Sequence, residues 1–315
     1  KCLEYNIPIV RLEGLDLHKN FISLSKQIYR VIISEGITIV HAQNNWQLSL
    51  LVFIKHRYRL GFKIIYTIHG YRHNNRIKAI FAIRIIEMAL FLFVDVVFSA
   101  SSEVKSKFSL IRKKTHTLFL GVEEDFFNIS RPDFNSNITN LIFAGQFRNG
   151  KNQKLIINAL SMYIIKTGNF NIKLFLPGNG PLKNKCIKYA ENLNILDYVA
   201  FPGQLSRKEM LNLYKNCHIA IIPSNAETFG HCIAEPFVLG LCIFTRKVGV
   251  ARDIIINEKN GLFFDNAYDL SSLFEKHLNN NQLLNKLSIE AYNSRDLFKW
   301  NIICKNYSEI LKLTF

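Results

Sequence analysis

Acidic residues and long hydrophobic runs are both scarce in this sequence. Its 315 residues include 24 Asp plus Glu against 40 Lys plus Arg, which gives a net charge of +16. A basic surface favours an anionic partner, and the charge alone leaves open a nucleic acid, an acidic membrane surface or a phosphorylated small molecule. The longest apolar run, MALFLFV at 88–94, is far shorter than the ~18–20 residues of a membrane-spanning helix. The sequence therefore predicts no such helix.

Cysteine and nucleotide-binding patterns are also sparse. The six cysteines form no Cys-x-x-Cys pair and lie near no histidine cluster at metal spacing, so a zinc site is not expected. Scattered thiols are typical of a reducing compartment, which favours the cytoplasm. Neither the P-loop spacing nor the dinucleotide Gly-x-Gly-x-x-Gly is present, which excludes two common nucleotide-binding motifs.

Short β-branched apolar runs alternate with longer amphipathic segments along the chain. This alternation is typical of parallel sheets covered by helices, with ligands bound outside the carboxyl ends of the strands. The predicted strands are 37–40, 63–67, 94–100, 115–120, 141–145, 172–178, 199–203, 219–223 and 241–245. Helices are predicted between them, including one at 102–110. The polar, Asn-rich segment 121–140 interrupts the pattern, so we predict two α/β domains with a cleft between them.

Glycine-containing strand exits in the second half of the chain are the most informative feature. AGQFRNGKNQ (144–153) follows a strand and opens a helix, so its backbone N–H groups, with Arg148 and Lys151, outline a phosphate site. An exposed Asn/Gly turn is the alternative interpretation. Gly178 and Gly203 stand in the exits LPGNGPLKNK and FPGQLSRKEM, where a flat base or sugar could approach the backbone. A helix-capping box explains the second of these exits without a ligand.

The segment NAETFGHCIAEP (225–236) carries Glu227 and Glu235 at either end of a predicted strand-to-helix junction. Along one regular helix their side chains would lie about 80° apart and would not share a face. With Glu227 in the loop and Glu235 one turn inside the helix, however, the pair lines successive parts of one elongated ligand. The N–H groups from Gly230 to Cys232 would face the part between. An ordinary junction that happens to carry two glutamates is the alternative.

The stretch SNAETFGHCIAEPFVLG resembles the Glu-x7-Glu segment of retaining glycosyltransferases of family 4, which have the GT-B fold. AGQFRNGKNQKLIINAL resembles the first strand and helix of that family's donor domain, and VGVARDIIINEKNGLFF its Val-Gly-Gly-x-Pro-Glu and Asn-Gly strand. ITIVHAQNN, IIYTIHG, VFSASSEVKSKF and LFLGVEEDFF are similar to successive strand exits of its acceptor domain. The motifs occur in family order over most of the chain.

The resemblance implies an α/β GT-B architecture of two facing Rossmann-like parallel-sheet domains with C-terminal helices. Residues 1–127 would form the acceptor-side domain, 128–297 the nucleotide-sugar donor domain, and 298–315 a helix that packs back toward the N-terminal domain. The family begins with a strand, a Gly-rich loop and a helix, whereas KCLEYNIPIVRLEGL resembles the material after them and residue 1 is Lys. We therefore expect a chain truncated at its start.

Site residues follow from the same resemblance. Glu235 stands where the family binds the ribose hydroxyls, Glu227 where it faces the donor sugar, and Lys151 where it binds the diphosphate. His69, in TIHG, matches a histidine near the sugar from the opposite domain. Glu227, His69 and Lys151 are the expected catalytic residues, with Glu227 as an orienting group rather than a covalent nucleophile. The further expected donor-binding residues are Phe229, Gly230, His231, Cys232, Arg148, Gly145, Gly178 and Gly203.

The sequence departs from the family pattern at several positions. Gln146 stands where the family usually has Arg, so Arg148 is expected to supply that cation. Val250 and Arg252 replace a Gly and a Pro, and Asp253 replaces a Glu. No Asp-x-Asp triplet occurs, which agrees with metal independence. We expect no metal and no cofactor, with a UDP- or GDP-linked sugar as donor substrate.

The implied function is transfer of a sugar to a glycan or lipid-linked acceptor, in bacterial O-antigen or capsule synthesis. The segment 55–84 holds eight Lys/Arg and no acid. It resembles a membrane-facing acceptor region and favours an anionic membrane surface over nucleic acid, with a solvated helix face as the simpler alternative. We thus expect a cytoplasmic protein, peripheral on the inner face of the cytoplasmic membrane. The alternatives are an impaired GT-B protein that binds membrane or nucleic acid, and a nucleotide-sugar epimerase.

Overall fold

The computed structural model describes residues 21–69 and 76–315, with side chains described at 21–69 and 84–315. The chain divides into two compact units: the residues up to Ser99 with Lys105–His116, and Ala100–Val104 with Thr117–Phe315. The second unit begins before the predicted bound at 127 and contains the C-terminal helix. The predicted domain bounds and the packing of that helix stay predictions. The expected truncation concerns the chain before residue 21, which lies outside the described residues.

The first unit is built on a small parallel sheet. In chain order its elements are α1 (Phe21–Ser34), β1 (Ile39–Ala42), α2 (Asn45–Arg57), β2 (Lys63–Ile68), α3 (Arg76–Phe93), β3 (Val96–Ser99), α4 (Ser102–Ser106) and β4 (Thr115–Thr117), with α4 and β4 spanning the division between the units. The strand order is β1-β2-β3-β4, and β2 runs parallel to both β1 and β3. The Asp95 carboxylate accepts the Ile64 N–H at 2.8 Å and pairs with Lys55 and Lys63. This contact fixes the start of β3 against β2.

The second unit is built on a six-stranded sheet. Its strands are β5 (Thr139–Ile142), β6 (Ile172–Phe175), β7 (Val199–Ala200), β8 (Ile219–Ile222), β9 (Cys242–Thr245) and β10 (Leu262–Phe263). Its helices are α5 (Gln153–Thr167), α6 (Lys183–Asn192), α7 (Arg207–Lys215), α8 (His231–Val238), α9 (Ala251–Ile254), α10 (Ala267–His277), α11 (Asn281–Asn293) and α12 (Trp300–Thr314). All neighbouring strands are parallel, in the order β10-β9-β8-β5-β6-β7.

The order of these strands creates a topological switch point. From β5 the chain moves outward through β6 to β7, and it then returns to the other side of β5 to form β8. The connections from β5 to β6 and from β8 to β9 therefore run in opposite directions along the sheet, and a crevice lies between them at the carboxyl ends of β5 and β8. In open parallel sheets this crevice is where ligands bind.

The α/β class with two parallel sheets is confirmed, because every predicted strand is present within a few residues of its expected position. The helix predicted at 102–110 ends at Ser106. Within the rest of the predicted range, the N–H of Leu110 donates to the carboxylate of Glu87, a buried residue of α3. Among the helices of residues 21–69 and 76–315, none is long and apolar enough to cross a membrane.

Candidate functional site

The loops that follow β5 and β8 are joined side by side at the switch point. The N–H of Asn225 donates to the carbonyl of Gly150 at 2.8 Å, and the Asn152 amide donates to Asn225 Oδ1 at 2.5 Å. Asn152 adopts the left-handed conformation, with a φ of 52°, which asparagine tolerates better than most residues. These bonds bring together two predicted catalytic residues, Lys151 and Glu227.

The Lys151 ammonium donates to Glu227 Oε1 in a close ion pair. Only 10 % of the Lys151 side chain and 12 % of the Glu227 side chain is exposed. Burial strengthens the attraction and makes removal of one partner costly, because the other charge then lacks compensation. The thiol of Cys232 approaches the same Glu227 oxygen at 3.8 Å. A cation and a carboxylate are thereby held at the start of α8.

The amino terminus of α8 adds backbone donors to this site. Gly230 precedes the helix with a φ of +98°, and a Cβ there would lie 2.8 Å from the side chain of Ile233. The N–H groups of Ile233 and Ala234 bond to the Gly230 carbonyl, whereas the first N–H groups of a helix, here from His231 and Cys232, have no acceptor within it. The helix dipole and these N–H groups favour an anion beside Lys151.

The ring of Phe229 is buried, so only the backbone of this residue is accessible to a ligand. Only 3 % of the residue is exposed, and the ring packs with those of Phe119 and Phe298 at centroid distances of 6.4 and 5.9 Å. The expected donor-binding role of Phe229 stays a prediction. The aromatic cluster fixes where the loop returns into α8.

Glu235 lies one turn inside α8. Burial raises the pKa of its carboxyl to about 7, and the nearby Tyr214 and Arg207 oppose this rise. The Tyr214 hydroxyl is buried and makes no aligned hydrogen bond. Glu235 is therefore a carboxyl whose charge is poorly compensated by the protein, which suits a group that accepts hydrogen bonds from ligand hydroxyls.

A pocket of about 570 Å³ opens at the exits of β5, β6 and β7, within the usual size range of small-molecule sites. Its wall requires Gly178, which has a φ of +136° and whose added Cβ would collide with the carbonyl of Gly145. The Nε atom of Arg148, which lines the pocket, is buried without a hydrogen-bond partner. The lining residues are Gly145, Gln146, Arg148, Pro177, Gly178, Asn179, Gly180, Pro181, Gln204, Leu205 and Met210. Gly203 does not line the pocket, but its carbonyl accepts the Gly178 N–H at 2.6 Å.

His69 lies in the first unit at the carboxyl end of β2. Its Nε2 is 2.6 Å from Gln43 Oε1, and burial lowers the pKa of its imidazole. His41 is 2.7 Å from Thr67 Oγ1, and burial together with nearby His69 lowers its pKa to about 4. Both rings are therefore neutral at neutral pH. The role of His69 toward a donor sugar stays a prediction.

Sequence reasoning missed several residues around the site. Asn152 and Asn225 join the two loops, and Tyr214 borders Glu235. Ser101 and Glu103, which precede β5 in the chain, bond the loops after β8 and β9. No local pattern could reveal these contacts, because Ser101 and its partner Thr228 are 127 residues apart. Among residues 21–69 and 76–315, no three His, Cys, Asp or Glu side chains cluster as metal ligands would.

A parallel sheet with a lysine and a helix amino terminus at its switch point defines an α/β protein with a site suited to an anionic ligand. The chain belongs to the glycosyl transferases group 1 family, whose pattern matches residues 125–294, more than half of the 315. An uncharacterized glycosyltransferase of Methanocaldococcus jannaschii, MJ1178, is 24 % identical over 304 residues, covering 94 % of this chain and 80 % of that protein.

Solved structures establish the fold. Anabaena Alr3699/HepE in complex with UDP superposes with a TM-score of 0.81 at 15 % identity, covering 99 % of this chain and 88 % of that one. A glycosyltransferase from Rickettsia africae ESF-5 has a TM-score of 0.77 at 19 % identity, covering 99 % and 87 %. The predicted GT-B fold is confirmed, and the chain is a glycosyltransferase of group 1.

Proposed function

We propose that this protein transfers a sugar from a nucleoside-diphosphate sugar to a hydroxyl acceptor with retention of configuration. The observation that carries the proposal is the placement of the Lys151–Glu227 pair at the amino terminus of α8. When the bond between the anomeric carbon and the diphosphate breaks, negative charge develops on the leaving phosphate. Lys151 and the α8 N–H groups stabilise that charge.

The remaining site residues take roles along the same donor. The acceptor oxygen bonds to the anomeric carbon on the face that the diphosphate leaves, and the acceptor proton passes to the departing phosphate. Glu227 orients the sugar, Glu235 accepts the ribose hydroxyls, and Arg148 adds a cation to the diphosphate. The pocket lined by Gly145 and Gly178 admits the base, because glycine there leaves the backbone open to a flat ring.

UDP is the first nucleotide to test, because Alr3699/HepE, which shares the fold, was solved with UDP. GDP is the second. The acceptor that we propose is a glycan or a lipid-linked precursor of a bacterial surface polysaccharide, which rests on the family resemblance. A lipid-linked acceptor would be presented at a membrane surface.

One face of α3 supports the membrane proposal. Ile85, Met88, Phe91 and Leu92 are each between 50 % and 61 % exposed, and their spacing places them on one side of the helix. The only acid in α3, Glu87, is buried and paired with Arg84. A large exposed apolar face without free acidic groups fits an interfacial position.

Cations flank this α3 face. The Lys114 ammonium donates to the carbonyls of Phe91 at 2.6 Å and Val94 at 2.7 Å, which places its segment beside the end of α3. Arg112 and Lys113 in the same segment are exposed. By contrast, Lys55 and Lys63 from the predicted basic segment pair with Asp95. We therefore propose that the α3 face, with residues 112–113, binds an anionic lipid surface.

The enzymatic proposal is tested with a panel of UDP- and GDP-linked sugars, by measuring release of the nucleoside diphosphate with and without acceptor extract. Parent protein should release it from at least one donor, and Lys151→Met should not. Lys154→Met is the matched control, because that lysine is exposed in the first turn of α5, three residues after Lys151, and lies over the Tyr189 ring. A donor isomerised without release would favour the epimerase. Binding of vesicles or nucleic acid without any donor turnover would favour the impaired protein.

A further inference from the structure

The short segment 100–104 follows β3 but packs within the second unit. Ser101 is fully buried, and its hydroxyl donates to the carbonyl of Thr228 at 2.6 Å. The Glu103 carboxylate, whose side chain is 12 % exposed, accepts the N–H of Gly249 at 2.6 Å. The segment thus bonds both the loop after β8 and the loop after β9.

These two loops also contact each other directly, next to Glu227. The N–H of Val250 donates to the carbonyl of Phe229 at 2.8 Å. Gly249 has a φ of +52°, and a Cβ on it would lie 2.9 Å from the Cβ of Glu227. The Gly249 backbone is therefore the support against which Glu227 packs. Ser101 bonds the Thr228–Phe229 peptide, one residue after Glu227, and Glu103 bonds the backbone of Gly249.

Two of the positions that depart from the family pattern, both on α9, contact this same segment. Arg252 Nε lies 3.6 Å from Glu103 Oε2, and Asp253 Oδ2 accepts the N–H of Ser102 at 3.0 Å. Arg252 also donates to the carbonyl of Lys247 at 2.8 Å. The departures at 252 and 253 thus belong to a set of contacts that join the segment to the loop after β9 and to α9.

We propose that Ser101 and Glu103 are positioning residues that set the backbone of loop 227–230 and thereby the orientation of Glu227. Neither residue is required to touch the donor, because Ser101 acts through Thr228 and Glu103 acts through Gly249. The proposal rests on the proposed function in so far as this loop holds the donor sugar. The loop geometry itself can be measured without any donor.

The first test is amide hydrogen exchange of the unliganded protein, followed in peptides that contain residues 227–232. Loss of one buried hydrogen bond should raise exchange there about fivefold in Ser101→Ala and in Glu103→Ala. Ser102→Ala is the matched control, because that residue contributes only its backbone N–H and should leave exchange unchanged. Unchanged exchange in both variants, or an equal rise in α10 and α11, would overturn the proposal.

The second test is the donor dependence of the rate. Ser101→Ala and Glu103→Ala should lower kcat/KM for the donor by about fivefold or more. Glu103→Gln keeps an acceptor oxygen for the Gly249 N–H, so its kcat/KM should stay near that of the parent. An equal loss of kcat/KM in Glu103→Gln and Glu103→Ala would contradict a role of Glu103 through Gly249. If Ser101→Ala does not fold, the two Glu103 variants decide. If the parent binds no nucleotide sugar, the proposed function fails, and the exchange result still decides this proposal.

Discussion

Lys151 and Glu227 form a buried ion pair although they are 76 residues apart and belong to loops that leave different strands. The pair exists because β5 and β8 are neighbours at the switch point of the sheet. It gives the amino terminus of α8 a fixed cation beside its backbone donors. The proposed diphosphate site depends on this arrangement.

Glu235 predicts a pH dependence of nucleotide binding. Its pKa of about 7 leaves the carboxyl largely protonated at about pH 6 and ionised at about pH 8. A carboxylate accepts ribose hydroxyls better than the neutral acid, so UDP affinity should rise severalfold across this range. Titration calorimetry at both pH values measures the change, and Glu235→Gln should flatten it. A parent profile as flat as that of the Gln variant would contradict the ribose role.

The raised pKa of Glu235 also predicts how the stability of the unliganded protein depends on pH. The pKa of Glu235 in the folded state is raised above its ordinary 4.5, so its contribution to stability is complete below 4.5 and is lost as the pH rises through about 7. Glu235→Gln should therefore raise Tm relative to the parent more at about pH 8 than at about pH 5. An equal shift at both pH values, measured by thermal melting, would show that the carboxyl does not titrate in this range.

Gly178→Ala should damage the pocket. The added Cβ meets the Gly145 carbonyl, and the φ of +136° strains any side-chain-bearing residue. We expect a loss of stability of about 1–3 kcal/mol and weaker UDP binding. Gly168→Ala is the control, because its φ is also positive at +64° but nothing lies within 4 Å. It should cost about 1 kcal/mol and leave UDP affinity unchanged, so similar affinity losses in both variants would count against the pocket.

The exposed face of α3 predicts binding to anionic vesicles. Parent protein should co-sediment with phosphatidylglycerol-containing vesicles and not with phosphatidylcholine alone, and Met88→Glu/Phe91→Glu should abolish the binding. Ile165→Glu is the control, since Ile165 is 77 % exposed on α5 of the second unit. Equal binding by the α3 variant and the control would place the contact elsewhere.

Local patterns predicted most of the fold, because buried strands such as β2 and β8 are continuous β-branched runs. They failed where distant residues decide the backbone. The helix predicted at 102–110 stops at Ser106, and Leu110 is bonded to Glu87, 23 residues earlier. For the site, the sequence predicted Lys151 and Glu227 through a resemblance. Their ion pair and the supporting bonds of Ser101 and Glu103 are tertiary contacts that spacing along the chain does not encode.

The central claim is tested most directly by the affinity of UDP for the parent, Lys151→Met and Lys154→Met, measured by titration calorimetry. Lys151→Met should weaken binding at least about tenfold, because a buried charge-assisted contact to the diphosphate is lost. The double variant Lys151→Met/Glu227→Gln, which leaves no unpaired buried carboxylate, should stay equally weak while recovering stability. Lys154→Met should bind as the parent does. Parent-like affinity in a folded Lys151→Met protein, or in the folded double variant, would contradict the account.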